Sequence, residues 1–127
     1  MSDLRTPMKH AVGLGSAKSG VHHFMVQRIT ALALVLLVGW ALWMAIAMAR
    51  LDYAAAHALL AQPWNAVLAI AFAITVFWHA QLGLQVVIED YVHAPGTRLA
   101  AQLAVRFLCF LGAAASVLAV VRIALGR

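Results

Sequence analysis

The sequence predicts an all-α integral membrane protein with three transmembrane helices. Hydrophobic residues make up 65% of the 127 residues and charged residues only 10%, whereas a soluble domain is about half apolar and about a quarter charged. Three long apolar segments carry this excess, at about 29–48, 64–88 and 103–125. Each is close to or longer than the roughly 20 residues that cross the hydrocarbon core of a bilayer. Lipid is therefore the expected solvent for most of the chain.

The first apolar segment has an alternative interpretation, a cleaved signal peptide. Small residues near Ala47 and Ala49 resemble a cleavage site. However, the apolar run exceeds the roughly 7–15 residues of a signal hydrophobic region, which favours a retained helix. The sequence thus predicts an N-terminal leader, 1–28, followed by a three-helix anchor domain, 29–127. Neither the leader nor the polar breaks between the spans are long enough for a soluble catalytic domain.

The basic residues predict the orientation of the chain. Nine Lys and Arg give a net charge of +5, but they are spread over the ends of the apolar segments, as in membrane proteins. No nucleic acid partner is therefore expected. One side, formed by the leader, the second polar break and the residues just beyond that break, carries six of them: Arg5, Lys9, Lys18, Arg28, Arg98 and Arg106. The opposite side carries three, so the positive-inside rule predicts a cytoplasmic N-terminus and a C-terminus on the other side.

His79 is the histidine that lies deep inside an apolar segment, about 15 residues into the second one. A buried ring at this depth is either hydrogen-bonded to a neighbouring helix or an axial ligand to haem iron, and the residue alone does not decide between them. On a helical wheel, Gly83, Val86 and Asp90 lie within about 40° of His79. The glycine leaves clearance for a flat porphyrin, which favours a haem ligand. A second axial histidine would then come from another chain.

Polar side chains also lie near the start of the first predicted transmembrane helix and at the end of the second. Tyr91 has the position of an interfacial aromatic residue, and its hydroxyl could equally bond a carbonyl held at the membrane surface. Asp90 beside it is at a solvated helix end. Arg28 is either an anchor that snorkels to the surface or a partner for a carboxylate or haem propionate, and His22 lies close to the same region.

Other residues predict contacts between helices. Gln81 and Gln85 lie on the side of the second helix opposite His79 and suit hydrogen bonds to another helix. Gly112 and Ser116 form a small-xxx-small pair that lets another helix approach closely, which supports association with a second chain. Cys109, the single cysteine, is expected to be a small packing residue.

Two stretches of the chain closely resemble the hydrophobic membrane anchor of bacterial succinate dehydrogenase, respiratory complex II. They are SGVHHFMVQRIT and HAQLGLQVVIEDYVH, and the likeness extends from about Ser16 to the C-terminus. Its most specific part is the histidine followed eleven and twelve residues later by Asp-Tyr. The resemblance implies that the three helices form half of a haem-containing bundle, which a second membrane anchor subunit completes. It also implies the bacterial inner membrane, with the C-terminus periplasmic.

The resemblance implies roles for particular residues. His79 corresponds to an axial ligand of haem b, which is shared with the second membrane anchor subunit. Tyr91 corresponds to the tyrosine that hydrogen-bonds the ubiquinone head group, and Asp90 to its adjacent acid. Arg28 corresponds to an arginine near both the quinone and the haem propionates, with His22 close by. Some relatives carry an acidic residue directly after the histidine that corresponds to His22, whereas this chain has His23 at that position.

The predicted function is that of a membrane anchor subunit of succinate:ubiquinone oxidoreductase, in the tricarboxylic acid cycle and aerobic electron transport. The resemblance assigns flavin, the iron–sulfur clusters and the succinate site to a flavoprotein subunit and an iron–sulfur subunit, so no catalytic residue is expected in this chain. Two alternatives remain: a structural anchor that binds no cofactor, and the anchor of a related quinol:fumarate reductase.

Overall fold

The computed structural model describes residues 6–12 and 20–126. These residues form five α-helices and no strands: α1 (Pro7–Val12), α2 (Gly20–Met48), α3 (Tyr53–Ala61), α4 (Pro63–Tyr91) and α5 (Pro95–Ala124). By length and composition, α2, α4 and α5 are able to cross a membrane. The predicted all-α fold with three membrane spans is therefore confirmed. At 1.5 Å per residue each of these helices is about 45 Å long, so its ends extend beyond the roughly 30 Å hydrocarbon core.

The helices begin earlier than the apolar segments do. α2 starts at Gly20 rather than at residue 29, so the predicted boundary of the leader falls inside a helix, and α5 starts at Pro95 rather than at residue 103. The reason is physical: hydropathy detects the part of a helix that contacts lipid, whereas polar residues continue the same helix into the interface. Leader residues 1–5 and 13–19 lie outside the described ranges.

A short helix, α3, joins the first two spans. Asp52 caps it, because its Oδ1 accepts a hydrogen bond of 2.8 Å from the backbone N–H of Ala55. Asn65, which is buried near the start of α4, donates from Nδ2 to the carbonyl oxygen of Leu59 over 2.8 Å. Pro63 suits the first position of α4 because it has no N–H to leave unpaired there. The side chain of Asn65 thus ties α3 to α4 and fixes this end of the bundle.

α4 is the central helix and packs against both α2 and α5. Few side chains are buried in the described part of the chain: four apolar residues and two polar ones, Thr30 and Asn65. Large hydrophobic residues such as Leu36, Ile46 and Phe110 are exposed. A soluble protein rarely exposes such extensive apolar surface. The outward surface of this chain therefore suits lipid and other transmembrane helices.

Gly112 of α5 lies against α4 of the same chain. A Cβ built on Gly112 would overlap the ring of Phe77 in α4, coming within 2.6 Å of its Cζ. Ser116, one turn further on, donates from Oγ to the carbonyl oxygen of Gly112 over 2.8 Å. From the sequence this pair supports contact with a second chain, but in the structure the close approach at Gly112 is made by α4 of the same chain.

Replacing Gly112 with alanine is expected to destabilise the packing of α4 on α5. The added methyl group must displace the Phe77 ring, and overpacking of this kind typically costs about 1–3 kcal/mol. Gly39→Ala is the matched control, because Gly39 also lies within a spanning helix but a Cβ there meets nothing within 4 Å. The free energy of unfolding, measured in detergent, should fall for Gly112→Ala alone. Equal stability of both variants would contradict the assigned contact.

Candidate functional site

His79 faces α2 from the middle of α4, and both of its ring nitrogens lie near polar atoms. Its Nδ1 is 2.9 Å from Oγ1 of Thr30, and its Nε2 is 3.4 Å from Nε2 of Gln27. Thr30 is only 6% exposed, and His79 itself is partly buried. The described residues contain no group of three or more His, Cys, Asp or Glu that could hold a metal ion. A single nitrogen is, however, all that a haem takes from one axial ligand.

The partners of His79 belong to a polar stripe on α2. His23, Gln27 and Thr30 recur at i, i+4 and i+7, the spacing of one helix face. Gln27 also lies opposite Gly83, since its Nε2 would be 3.7 Å from a Cβ built there. The space predicted to give clearance for a porphyrin is therefore next to the amide of Gln27. We call the set formed by these two residues of α4 and three of α2 the α2–α4 polar seam: His79, Gly83, His23, Gln27 and Thr30.

Two buried atoms of the seam have no hydrogen-bond partner within the described chain: His23 Nε2 and Gln27 Oε1. An unpaired polar atom costs roughly 1–3 kcal/mol when it is buried. Such atoms are normally satisfied by water, a ligand or another chain. The polar seam is thus able to accept a polar group beyond those that this chain supplies.

Tyr91 and Asp90 lie at the end of α4, away from the seam. The side chain of Tyr91 is 80% exposed, and Asp90 is exposed as well. Tyr91 is about 18 Å from His79 along the helix axis, at 1.5 Å per residue. The chain itself therefore leaves the phenol hydroxyl accessible and does not bring it to His79.

Arg28 and His22 both lie on α2, and both side chains are exposed. The guanidinium of Arg28 leans back over the ring of Phe24, with Cζ 5.0 Å from the ring centroid, in the direction in which helical side chains tilt. Thr30 of α2 and His79 of α4 lie at about the same depth in the bundle, because their side chains are in contact. Phe24 lies about 9 Å and His22 about 12 Å from Thr30 along α2, toward the end of the bundle that holds Tyr91.

The predicted site residues are thus distributed rather than clustered. The structure pairs His79 with two residues that the sequence analysis did not single out, Thr30 and Gln27. The i, i+4, i+7 polar spacing in α2 is the signal that could have identified them. No hydrogen bond or ring contact in the described ranges joins Arg28 to Asp90 or Tyr91. Phe24, whose ring the guanidinium of Arg28 covers, and Tyr91 differ in depth by about 9 Å along the helix axes.

A separate set of polar residues joins α4 to α5. Gln85 and Gln102 both donate from Nε2 to Oε1 of Glu89, over 2.8 and 3.2 Å. Nη2 of Arg106 donates to Oε1 of Gln85 over 3.4 Å. The expectation that Gln85 hydrogen-bonds another helix is confirmed, since Arg106 belongs to α5. The two glutamine donors stabilise Glu89 at a helix C-terminus, where a negative charge is otherwise unfavourable.

Comparison with known proteins identifies what the chain is similar to. Residues 2–113 match the model of a family described as succinate dehydrogenase/fumarate reductase transmembrane subunit. The succinate dehydrogenase hydrophobic membrane anchor subunit of Rickettsia bellii is 39% identical over 118 residues, covering 93% of this chain and 94% of that protein. The protein of the same name from Paracoccus denitrificans is 36% identical over 124 residues, covering 95% and 93%. No solved structure gives a significant match.

Proposed function

Because the chain belongs to the family of succinate dehydrogenase and fumarate reductase transmembrane subunits, we propose that it anchors a succinate:ubiquinone oxidoreductase and takes part in its electron transfer. In this proposal His79 provides one axial ligand to haem b, and a second membrane anchor subunit provides the other. Tyr91, Asp90 and Arg28 form part of the ubiquinone-reduction site. The observation that carries the proposal is the polar environment of His79 within a membrane-spanning helix.

The residues around His79 fit a haem ligand. The ring is partly buried, which limits the access of water to an iron centre. Its Nδ1 is in contact with the buried hydroxyl of Thr30 at 2.9 Å, which holds the orientation of the ring. The other ring nitrogen, Nε2, has only a long contact of 3.4 Å with the amide of Gln27, and in this proposal that side chain moves aside when iron binds. One nitrogen is thus fixed and the other is available.

Haem b bound here would supply a one-electron carrier within the membrane. The chain's own contribution is to position it: His79 provides a neutral nitrogen, and Arg28 provides a cation for the propionate carboxylates. The unpaired His23 Nε2 and Gln27 Oε1 offer further polar contacts in the same seam. Charged and polar groups at membrane depth are expected to serve such a function, because they are costly there.

Tyr91 is the proposed hydrogen-bond donor to ubiquinone. Its phenol hydroxyl is accessible and lies at the end of the bundle, where a quinone entering from the bilayer reaches it. Arg28 would donate to the other carbonyl oxygen, since it lies toward the same end of the bundle as Tyr91. Asp90, beside Tyr91, would orient these neighbours. His22 lies at a similar depth, toward the same end of the bundle.

The remaining partners and the orientation follow from the same proposal. The second membrane anchor subunit would cover part of the apolar surface of the three spans. An iron–sulfur subunit and a flavoprotein subunit would dock at the end where α2 begins, which is cytoplasmic by the positive-inside rule. The membrane is then the bacterial inner membrane. A quinol:fumarate reductase would use the same anchor, because the anchor does not set the direction of the reaction.

The experiment that tests this function is purification of the intact complex through a tag on this chain. We expect an iron–sulfur protein, a flavoprotein and a second membrane protein to copurify, together with a b-type absorption band in the reduced-minus-oxidised spectrum. Ubiquinone should be reduced when succinate is added. A complex that contains all four subunits but has no b-type band would support the cofactor-free anchor instead.

A further inference from the structure

The structure assigns to Thr30 the role of selecting the tautomer of His79 that leaves Nε2 free to bind iron. Thr30 is a positioning residue, because it acts through the histidine rather than on the haem. The inference rests on the proposed haem ligation by His79. It adds to the proposed haem site a residue of α2 that the sequence analysis did not single out.

The argument begins with the hydrogen bonds of the Thr30 hydroxyl. Its Oγ1 lies 2.9 Å from the carbonyl oxygen of Val26 and 3.1 Å from that of Gln27. Carbonyl oxygens only accept, and a hydroxyl has one proton to donate. Threonine in a helix commonly donates back to the carbonyl three or four residues earlier. The Thr30 proton is therefore directed at its own helix backbone.

The direction of that proton determines the protonation of the ring. Oγ1 has only lone pairs left to offer His79, so Nδ1, at 2.9 Å, must carry the hydrogen and donate it. A neutral imidazole has a single N–H, so Nε2 then carries the lone pair. The contact with Gln27 agrees, since the amide Nε2 is a donor and lies 3.4 Å from this nitrogen. Two contacts from different residues thus favour the same tautomer.

A haem ligand needs this state. Iron binds a nitrogen lone pair, and the second ring nitrogen of a metal-bound histidine normally donates its N–H to an acceptor, which fixes the ring and raises the basicity of the ligand. Inside a membrane, few groups are available to accept a hydrogen bond from this N–H. Thr30 is 94% buried, being 6% exposed, so water does not replace its oxygen if the hydroxyl is removed.

The test compares Thr30→Val with Thr30→Ser and Ser116→Ala. Valine removes the hydroxyl and keeps the branched shape, whereas serine keeps the hydroxyl. Ser116→Ala removes a similar back-bond, from Oγ to the Gly112 carbonyl, on a helix other than the two that form the seam. In the purified complex, Thr30→Val should weaken haem binding about 10–100-fold, the usual cost of losing an outer partner of a metal ligand. It should also raise the midpoint potential of the haem, because a weaker donor stabilises the ferric state less.

Nitrogen-15 NMR of the full chain in detergent, without haem, gives a second readout that is independent of the cofactor. The His79 signals are assigned by their loss in His79→Ala. The wild type and Thr30→Ser should show a protonated Nδ1 and an unprotonated Nε2, and Thr30→Val a mixture of tautomers. A wild-type ring protonated at Nε2, or haem affinity and potential unchanged in Thr30→Val, would overturn the inference. A wild-type complex that binds no haem would instead refute the proposed function, and the NMR result would still decide the tautomer.

Discussion

His79→Ala is expected to remove most of the haem b from the purified complex. The variant loses an axial ligand, so the effect should exceed the about 10–100-fold loss of affinity expected for an outer partner. Any haem that remains should be high-spin, because iron with one histidine has an open coordination position. The measurement is the haem content per flavin, together with the reduced-minus-oxidised spectrum.

His93→Ala is the matched control for that result. His93 is an exposed histidine in the short connection between α4 and α5, so its loss should leave the haem spectrum unchanged. Assembly must be checked in both variants by the copurification of the other subunits. A His79→Ala complex that assembles with full haem content and a wild-type spectrum would show that His79 is a packing residue.

Tyr91→Phe is expected to lower ubiquinone reduction by about five- to tenfold. The substitution removes one hydroxyl donor, and a hydrogen bond of this kind contributes about 1–1.5 kcal/mol, with about 1.4 kcal/mol corresponding to a factor of ten. The aromatic ring stays in place, and because the residue is 80% exposed, the fold should not change. The assay is kcat/KM for ubiquinone, with succinate as the electron donor.

Two comparisons make the Tyr91 result specific. Succinate oxidation by an artificial acceptor that bypasses the quinone site should be the same in Tyr91→Phe and in the wild type. Tyr53→Phe should behave as the wild type in both assays, since Tyr53 is equally exposed, at 84%, but begins α3 at the other end of the bundle. Equal ubiquinone kinetics in all three proteins would exclude the Tyr91 hydroxyl as a quinone contact.

The three spans were predictable from the sequence because the membrane imposes a direct requirement on composition. A lipid-exposed segment must be apolar over about 20 residues, and the three apolar segments meet that requirement without reference to tertiary structure. The starts of α2 and α5 could not be located in this way. Their first turns lie in the interface, where residues such as His22 and Arg98 are as compatible with helix as apolar ones.

The site was predictable only in part, for a related reason. The wheel position of His79 depends on one helix and could be read from the sequence. The identity of its partners depends on which face of α2 meets α4, and that is decided by packing. The stripe of His23, Gln27 and Thr30 held this information, but a polar stripe alone does not say which residue of another helix it faces. Likewise, the position of Gly112 against Phe77 required the register of α4 on α5.

The most direct test of the central claim, that His79 ligates haem b, is chemical rescue of a His79→Gly complex with imidazole. Glycine removes the ring and leaves a cavity in contact with Thr30 and Gln27, the residues that flank His79 in the native chain. The visible and electron paramagnetic resonance spectra of the haem should be high-spin or absent before imidazole is added. They should return to the six-coordinate low-spin form as imidazole fills the cavity. A spectrum that is already low-spin and does not respond to imidazole would contradict the claim.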